Sequence, residues 1–336
     1  MKPSKLAILV KYKLIVTVRR CALLTVIHSK SVDYTKINAL KFLSIYLVGI
    51  FFLFSGSAWS QTNVLRERLQ GVAAATKGTL GIGVIDLSNG DTVSVNGQGR
   101  FAMQSVYKFH LALAILSEVD KGKWTLEQKI KVTKKDLLPN TWSPLREKYP
   151  NGEVELPLRE IIEYTVAQSD NNGCDILFRL MGGTKAVDKY IKSIGINEIN
   201  IVGTEEEMHA NDRVQFDNWS SPRSAAKLLA VFNQKKILSK NSWDFLWNTL
   251  VSTTTGPRKL KGVLPQGTIV AHKTGYSGVN KQGVITATND IGIVQLPNGK
   301  RFAIAVFLNN TSLPEAECDR AIAEAAKVAW DYFLGK

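Results

Sequence analysis

Strand-like patterning sits at two widely separated places in this chain, and the long stretch between them is patterned as helix. Residues 78–87 are almost continuously apolar, Ser88-Asn89-Gly90-Asp91 is a turn, and residues 92–96 alternate as a return strand. Strand character returns only at 268–274, 283–288, 291–296 and 302–309, with Pro297-Asn298-Gly299 turning the last pair. Antiparallel hairpins joined in one sheet then need both ends of the chain. Between them, residues 158–169, 174–181, 184–193 and 221–232 carry helical periodicity, the last opened by Ser221-Pro222. Helices over 63–76 and 314–333 bracket the strands. The expected class is α/β, of the α+β kind, with residues 62–104 and 251–336 in one α/β domain and 105–250 as a mainly helical insertion. A cleft between two such layers is a natural ligand site.

The 336 residues are 45% apolar, enough for a sizeable core. The formal charge of +14 would suggest nucleic acid or an anionic membrane. Its distribution argues otherwise: residues 1–41 hold nine Lys/Arg and a single acid, Asp33. Residues 42–54 form an uncharged apolar core behind Lys41, followed by small residues at Ala58 and Ser60. This is the pattern of a signal peptide over residues 1–61, cut near residue 60, and the apolar core is short for a membrane span of about 20 residues. A periplasmic protein with no stable membrane association after cleavage is expected. No RNA-binding aromatic motif or arginine-rich tract is present, so no nucleic-acid partner is expected. Cys174 and Cys318 lie in helical stretches; two free buried thiols are expected, with a bridge between them as the alternative.

Three short motifs carry chemistry. Ser105-Val106-Tyr107-Lys108 opens an apolar helical run, so a hydroxyl and an amine share one helical face near unpaired N–H groups. A nucleophilic serine needs that combination of a base beside it and donors near the oxygen it creates. Ser169-Asp170-Asn171 follows a periodic helix; its serine can relay a proton to a leaving nitrogen, and its asparagine can bind a carbonyl. Lys273-Thr274-Gly275 closes a strand, with two groups suited to an anion and a glycine that lets the backbone approach a ligand. Each motif alone is ordinary: Ser224-Ala225-Ala226-Lys227 and Ser239-Lys240-Asn241 have similar shapes and read as helix faces and caps. No histidine has the spacing of a zinc motif, so no metal is expected, and serine chemistry of this kind needs no organic cofactor.

Taken in this order, the three motifs make residues 62–336 resemble the class A serine β-lactamases, relatives of the penicillin-binding proteins. Trp142-Ser143-Pro144, Asn218-Trp219-Ser220-Ser221-Pro222, Thr253-Thr254-Thr255-Gly256-Pro257 and Ala271-His272-Lys273-Thr274-Gly275 resemble the PER-type, extended-spectrum branch. The resemblance implies an antiparallel five-stranded sheet flanked by terminal helices, an inserted all-helical domain, and a monomer. It implies an exported hydrolase that opens the lactam amide of penicillins and cephalosporins, oxyimino-cephalosporins included, through an acyl-enzyme on Ser105. Lys108, Glu205 with its water, or both would take the proton, and Ser169 would pass one to the lactam nitrogen. Lys273 and Thr274 would hold the substrate carboxylate, Asn171 its side-chain amide, and the backbone N–H groups of Ser105 and Tyr276 the oxyanion.

Glu205 is assigned by register, since Glu205-Glu206-Glu207-Met208-His209 matches the family's Glu-x-x-Leu-Asn loop that holds the deacylating water. His209 stands in place of the usual asparagine, and Asp175 in place of the asparagine that pins the loop. Gly275, Tyr276 and Ser277 would line the substrate strand, and Trp142 would be an aromatic at the cleft edge. Lys259 takes the place of an arginine in PER-type relatives. A penicillin-binding DD-peptidase and a membrane-anchored β-lactam sensor share the same nucleophile and are the alternatives.

Overall fold

The computed structural model describes residues 62–335. The expected leader, its cleavage site and any membrane association of residues 1–61 lie outside the described residues. In chain order the first elements are helix α1 (62–75), strands β1 (Thr79–Asp86), β2 (Thr92–Val95) and β3 (Phe101–Ala102), and helix α2 (Tyr107–Asp120). Strand β4 (Lys129–Val132), helix α3 (Pro144–Lys148) and strand β5 (Val154–Pro157) follow. Helices α4 (Leu158–Ala167), α5 (Asn171–Met181) and α6 (Thr184–Ser193) lead to strand β6 (Ile199–Asn200), helix α7 (Glu205–Ala210) and strand β7 (Trp219–Ser220). The chain closes with helices α8 (Pro222–Asn233) and α9 (Lys240–Val251), strands β8 (Val270–Tyr276), β9 (Ile285–Gln295) and β10 (Arg301–Thr311), and helix α10 (Glu315–Leu334).

The two ends of the chain meet in one antiparallel sheet, ordered β2-β1-β10-β9-β8. Strand β1 pairs with β10 from Thr79↔Asn309 to Asp86↔Phe302. Both faces of this sheet are covered, which is why its strands are almost continuously apolar. Successive side chains take opposite faces. Ile82, Val84, Phe302, Ile304 and Val306 pack against Leu65 and Leu69 of α1 and Ile322, Ala326, Trp330 and Phe333 of α10. Ala303, Ala305, Phe307, Ile291 and Ile293 face the larger, helix-rich core. Helix α8 crosses close to β1: a Cβ on Gly83 would lie 2.3 Å from the carbonyl oxygen of Pro222, so only glycine fits there.

Helix α2 runs through the helix-rich core with every residue from Tyr107 to Ser117 buried. An all-round buried helix has no polar face to show water, which explains its weak amphipathic pattern. Around it, Phe109 meets Phe232 edge-on with ring centroids 5.5 Å apart, and Phe232 stacks on Trp243 at 5.4 Å.

Two features of the strands differ from expectation. Residues 283–288 and 291–296 were expected as two strands, but Ile285–Gln295 is one strand of 11 residues. Asn289 and Asp290 interrupt its apolar pattern, yet both are buried in mid-sheet with hydrogen-bonded partners. The stretch 105–250 is not purely helical, since β4 pairs with β5 and a small β3-β7-β6 sheet ties the start of α2 to the region around Trp219. These strands have two to four residues, too few to print an alternating pattern. Cys174 and Cys318 are free and buried. Among the described residues, no helix is long and apolar enough to cross a membrane.

Candidate active site

Ser105 sits in a single 3₁₀ turn, Gln104–Val106, that runs directly into α2. Gln104, just before it, is held at a φ of 46°, in the left-handed region that non-glycine residues seldom occupy. One helical turn on, Lys108 is fully buried, and its Nζ donates to Ser105 Oγ at 2.9 Å, to the Ser169 carbonyl oxygen at 2.8 Å and to Asn171 Oδ1 at 2.5 Å. An ammonium has three N–H groups, so these bonds use all of them. Glu205 Oε1 lies 3.0 Å from the same nitrogen, in ion contact, and receives none of the three.

The Ser169–Asn171 segment is built by the cap of α5. Asp170 is fully buried and accepts N–H bonds from Gly173 at 2.7 Å and Leu145 at 2.7 Å, with Ser143 Oγ donating as well. This N-cap forces Ser169 into a left-handed φ of 60° and points its carbonyl at Lys108. Ser169 Oγ accepts from Lys273 Nζ at 2.9 Å, so the hydroxyl stands between the helical layer and β8. Asn171 spends its amide N–H on Thr141 Oγ1 at 2.6 Å.

Strand β8 is the edge of the sheet and forms the other wall. The N–H of Ser277 donates to the Ala287 carbonyl, so alternate residues bond to β9 and the N–H of Tyr276 faces away from it. A Cβ on Gly275 would lie 2.5 Å from the Met103 carbonyl oxygen and 3.3 Å from the Ser105 nitrogen, so the bare glycine lets β8 press against the Ser105 turn. Lys273 is fully buried; burial first, and Lys108 second, push its ammonium well below the ordinary lysine range. Thr274 Oγ1 shares a hydrogen bond of 2.6 Å with Thr255 Oγ1.

Glu205 is the first residue of α7, a helix opened by a Thr204–Glu207 capping box. Asp175 reaches across from α5 and accepts the N–H groups of Glu205 and Glu206, each at 2.9 Å. Burial, followed by the negative charge of Glu205, raises the Asp175 carboxyl to about 7 despite those bonds. Gln104 Nε2 bonds Gln215 Oε1 at 2.7 Å, tying the Ser105 turn to the segment after α7.

These groups converge on a cleft of about 560 Å³, lined by Ser105, Ser169, Asn171, Glu205, Thr274 and Tyr276 among others. Trp142 stands 57% exposed at one edge, its indole N–H bonded to the Gln168 carbonyl. Tyr276 and Ser277 form the opposite lip, and His209 is exposed at the mouth beside buried Met208. Lys259 lies under the Tyr276 ring, buried, with its Nζ on Thr288 Oγ1 at 2.6 Å. Thr141 and Gln215 belong to the site but were not singled out from sequence, and Asp170 and Thr255 stood in the quoted motifs without a role of their own. Only Asp170 carried a signal, as an Asp one residue before a helix. The two look-alike motifs are structural: Ser239 N-caps α9 and Lys227 Nζ bonds the Gly195 carbonyl. Among the described residues, no group of three or more His, Cys, Asp or Glu is placed to hold a metal ion.

Residues 63–333 match the β-lactamase enzyme family. The chain belongs to that family. The class A β-lactamase fold is shared with solved relatives: TLA-3 extended-spectrum β-lactamase superposes with a TM-score of 0.80 at 49% identity, covering 81% of this chain and 99% of that one. A class A β-lactamase from Bacteroides cellulosilyticus gives a TM-score of 0.79 at 36% identity, covering 82% and 99% of the two chains. In sequence, this β-lactamase is 43% identical to β-lactamase VEB-1 of Pseudomonas aeruginosa, over 88% of its own length and 99% of the relative's. It is 41% identical to extended-spectrum β-lactamase PER-1 of the same organism, over 89% and 96%. The expected PER-type resemblance and α/β class are borne out.

Proposed function

We propose that this class A β-lactamase is exported to the periplasm and hydrolyses penicillins and cephalosporins, oxyimino-cephalosporins among them, through an acyl-enzyme on Ser105. The observation that carries the reading is the Lys108 ammonium, 2.9 Å from Ser105 Oγ and 3.0 Å from Glu205 Oε1. A nucleophile, a lysine that can take a proton only as the neutral amine, and a carboxylate able to hold water lie within contact of one another in the cleft between the α/β part (62–104 and 251–336) and the helical part (105–250).

Ser105 Oγ attacks the lactam carbonyl as its proton leaves through Lys108, through Glu205 with a water, or both. The N–H groups of Ser105 and Tyr276 receive the oxyanion. Ser169, bridged to Lys273, delivers a proton to the lactam nitrogen, and the C–N bond breaks. Lys273 and Thr274 hold the substrate carboxylate, with Asn171 on the acylamide and Trp142, Gly275 and Ser277 along the walls. Glu205 then takes a proton from water as the water oxygen attacks the ester carbonyl; the bond from the carbonyl carbon to Ser105 Oγ breaks, and a proton returns to Oγ through Glu205 or Lys108. Asp175 holds Glu205 in place through its backbone, while His209 borders the water's approach. The likeness to PER-1 and TLA-3, both extended-spectrum β-lactamases, supports the oxyimino substrates, and residues 42–54 support export. The enzyme acts as a monomer.

Intact-protein mass spectrometry with an oxyimino-cephalosporin tests the roles. Wild type is expected to turn over with little adduct, Ser105→Ala to form none, and Glu205→Gln to accumulate a stable one. Stoichiometric acylation without turnover in the wild type would instead make it a penicillin-binding peptidase or a sensor.

A further inference from the structure

The run Thr288-Asn289-Asp290 crosses the middle of β9, and all three residues are fully buried. Their side chains alternate between faces, as a strand requires. Thr288 Oγ1 accepts from Lys259, and Asp290 accepts the Leu260 N–H at 3.2 Å and lies 2.9 Å from His272 Nδ1. Asn289 turns the other way. Its Nδ2 donates to two consecutive carbonyls, Ala102 at 2.9 Å and Met103 at 3.0 Å. Those carbonyls immediately precede Gln104 and Ser105.

We propose that Asn289 is a positioning residue that fixes the Ser105 turn against β8, so that the N–H groups of Ser105 and Tyr276 converge on one oxygen. This rests on the roles given to those two groups above. Three observations carry it. Asn289 pairs directly with Gly275, whose missing Cβ is what lets Met103 and Ser105 approach β8. The turn it grips is strained at Gln104, and its other ties lie on other sides: β3 is two residues long, Met103 N–H bonds the Asn218 carbonyl at 2.9 Å, and the Gln104 side chain bonds Gln215 at 2.7 Å, so Asn289 supplies the side-chain bonds to this turn from β9. Finally, Asn289 Oδ1 is buried with no partner among the described residues. An unpaired buried acceptor is a cost that an apolar mid-strand residue would avoid. Stability alone therefore does not account for an asparagine here, whereas two donors aimed at the nucleophile's turn do.

Loosening the turn shifts one oxyanion donor relative to the other, which harms the transition state more than substrate binding. For Asn289→Ala, kcat per titrated active site is expected to fall about tenfold or more, with KM within about threefold. A boronic acid that forms a tetrahedral adduct on Ser105 should lose affinity in the same proportion as kcat/KM. Asn289→Thr, β-branched and suited to a strand, keeps one donor and should fall between Ala and wild type. Unchanged kcat, a loss confined to KM, or intact boronate affinity overturns the proposal. Failure of both variants to fold also overturns it, by making Asn289 a stability residue. A wild type inert towards the same substrate would instead sink the proposed hydrolysis itself.

Discussion

Asp175 holds Glu205 by its backbone: one carboxylate oxygen accepts the Glu205 N–H at 2.9 Å while the side chain itself is 4% exposed. The anchor of the Glu205 segment is thus a buried acid whose pKa, about 7, lies in the physiological range. The folded protein keeps this proton to about pH 7, whereas an unfolded chain releases it near an ordinary aspartate value of about 4. Between those values the folded state binds more protons, so this group's contribution to stability falls as pH rises and levels off above about 7. Asp175→Asn carries no such proton. The melting temperature of wild type minus that of Asp175→Asn should fall from pH 4 to pH 7 and then stay flat. A difference that rises over that window contradicts the assignment.

Gly275→Ala should damage chemistry and stability together. The added Cβ meets backbone on the Ser105 turn, at 2.5 Å from the Met103 oxygen, so relief requires moving Ser105. A displacement of this kind costs up to about a hundredfold in kcat, and the overpacking about 1–3 kcal/mol. Steady-state kinetics and urea unfolding measure both. Wild-type kcat/KM in the variant would mean that the turn yields freely.

Lys273 should place a basic limb on substrate binding. Burial and Lys108 lower its ammonium, so it loses its proton as pH rises before an ordinary lysine would, and with it the attraction for a carboxylate. KM for a cephalosporin should therefore rise through this region. Lys273→Arg, which stays charged, should move the limb to higher pH. A KM flat to pH 10 in the wild type would show that Lys273 does not hold the carboxylate.

Asp170→Ala should be strongly destabilising. Asp170 is the N-cap of α5 and also satisfies the Leu145 N–H and Ser143 Oγ, all buried. Losing a cap costs about 1 kcal/mol, and the orphaned donors about 1–3 kcal/mol more. Asp170→Asn keeps one acceptor and should lose less. Denaturant midpoints at constant slope provide the measurement.

The ends-meet architecture was legible because sheet strands covered on both faces leave long apolar runs, as at residues 79–86 and 302–308. Ser105, Lys108, Ser169, Asn171 and Lys273 were legible because each motif keeps its chemistry within three consecutive positions or one helical turn. Glu205 was found only by register, since a loop of three glutamates looks like any solvated acidic stretch. Asn289 and Asp290 were misread as a strand break, because polar residues in mid-strand ordinarily mark a turn. Their partners, Ala102, Met103, His272 and Leu260, are distant in the chain, and no local pattern announces them. Thr141 and Gln215 were missed for the same reason, each being tied to the site by one long-range hydrogen bond.

The pairing of β1 with β10 joins residues such as Thr79 and Asn309, 230 positions apart. Contacts of that span form late, because a large loop must close before they return any energy. Until β10 is available, β1 lacks the neighbour that separates it from β9. In a nascent chain the five-stranded sheet therefore cannot be completed until nearly the whole length has been synthesised. The same delay leaves β1, with its long apolar run, open to pairing with other chains in the meantime. Aggregation during overproduction should accordingly be most sensitive to charged substitutions in that first strand.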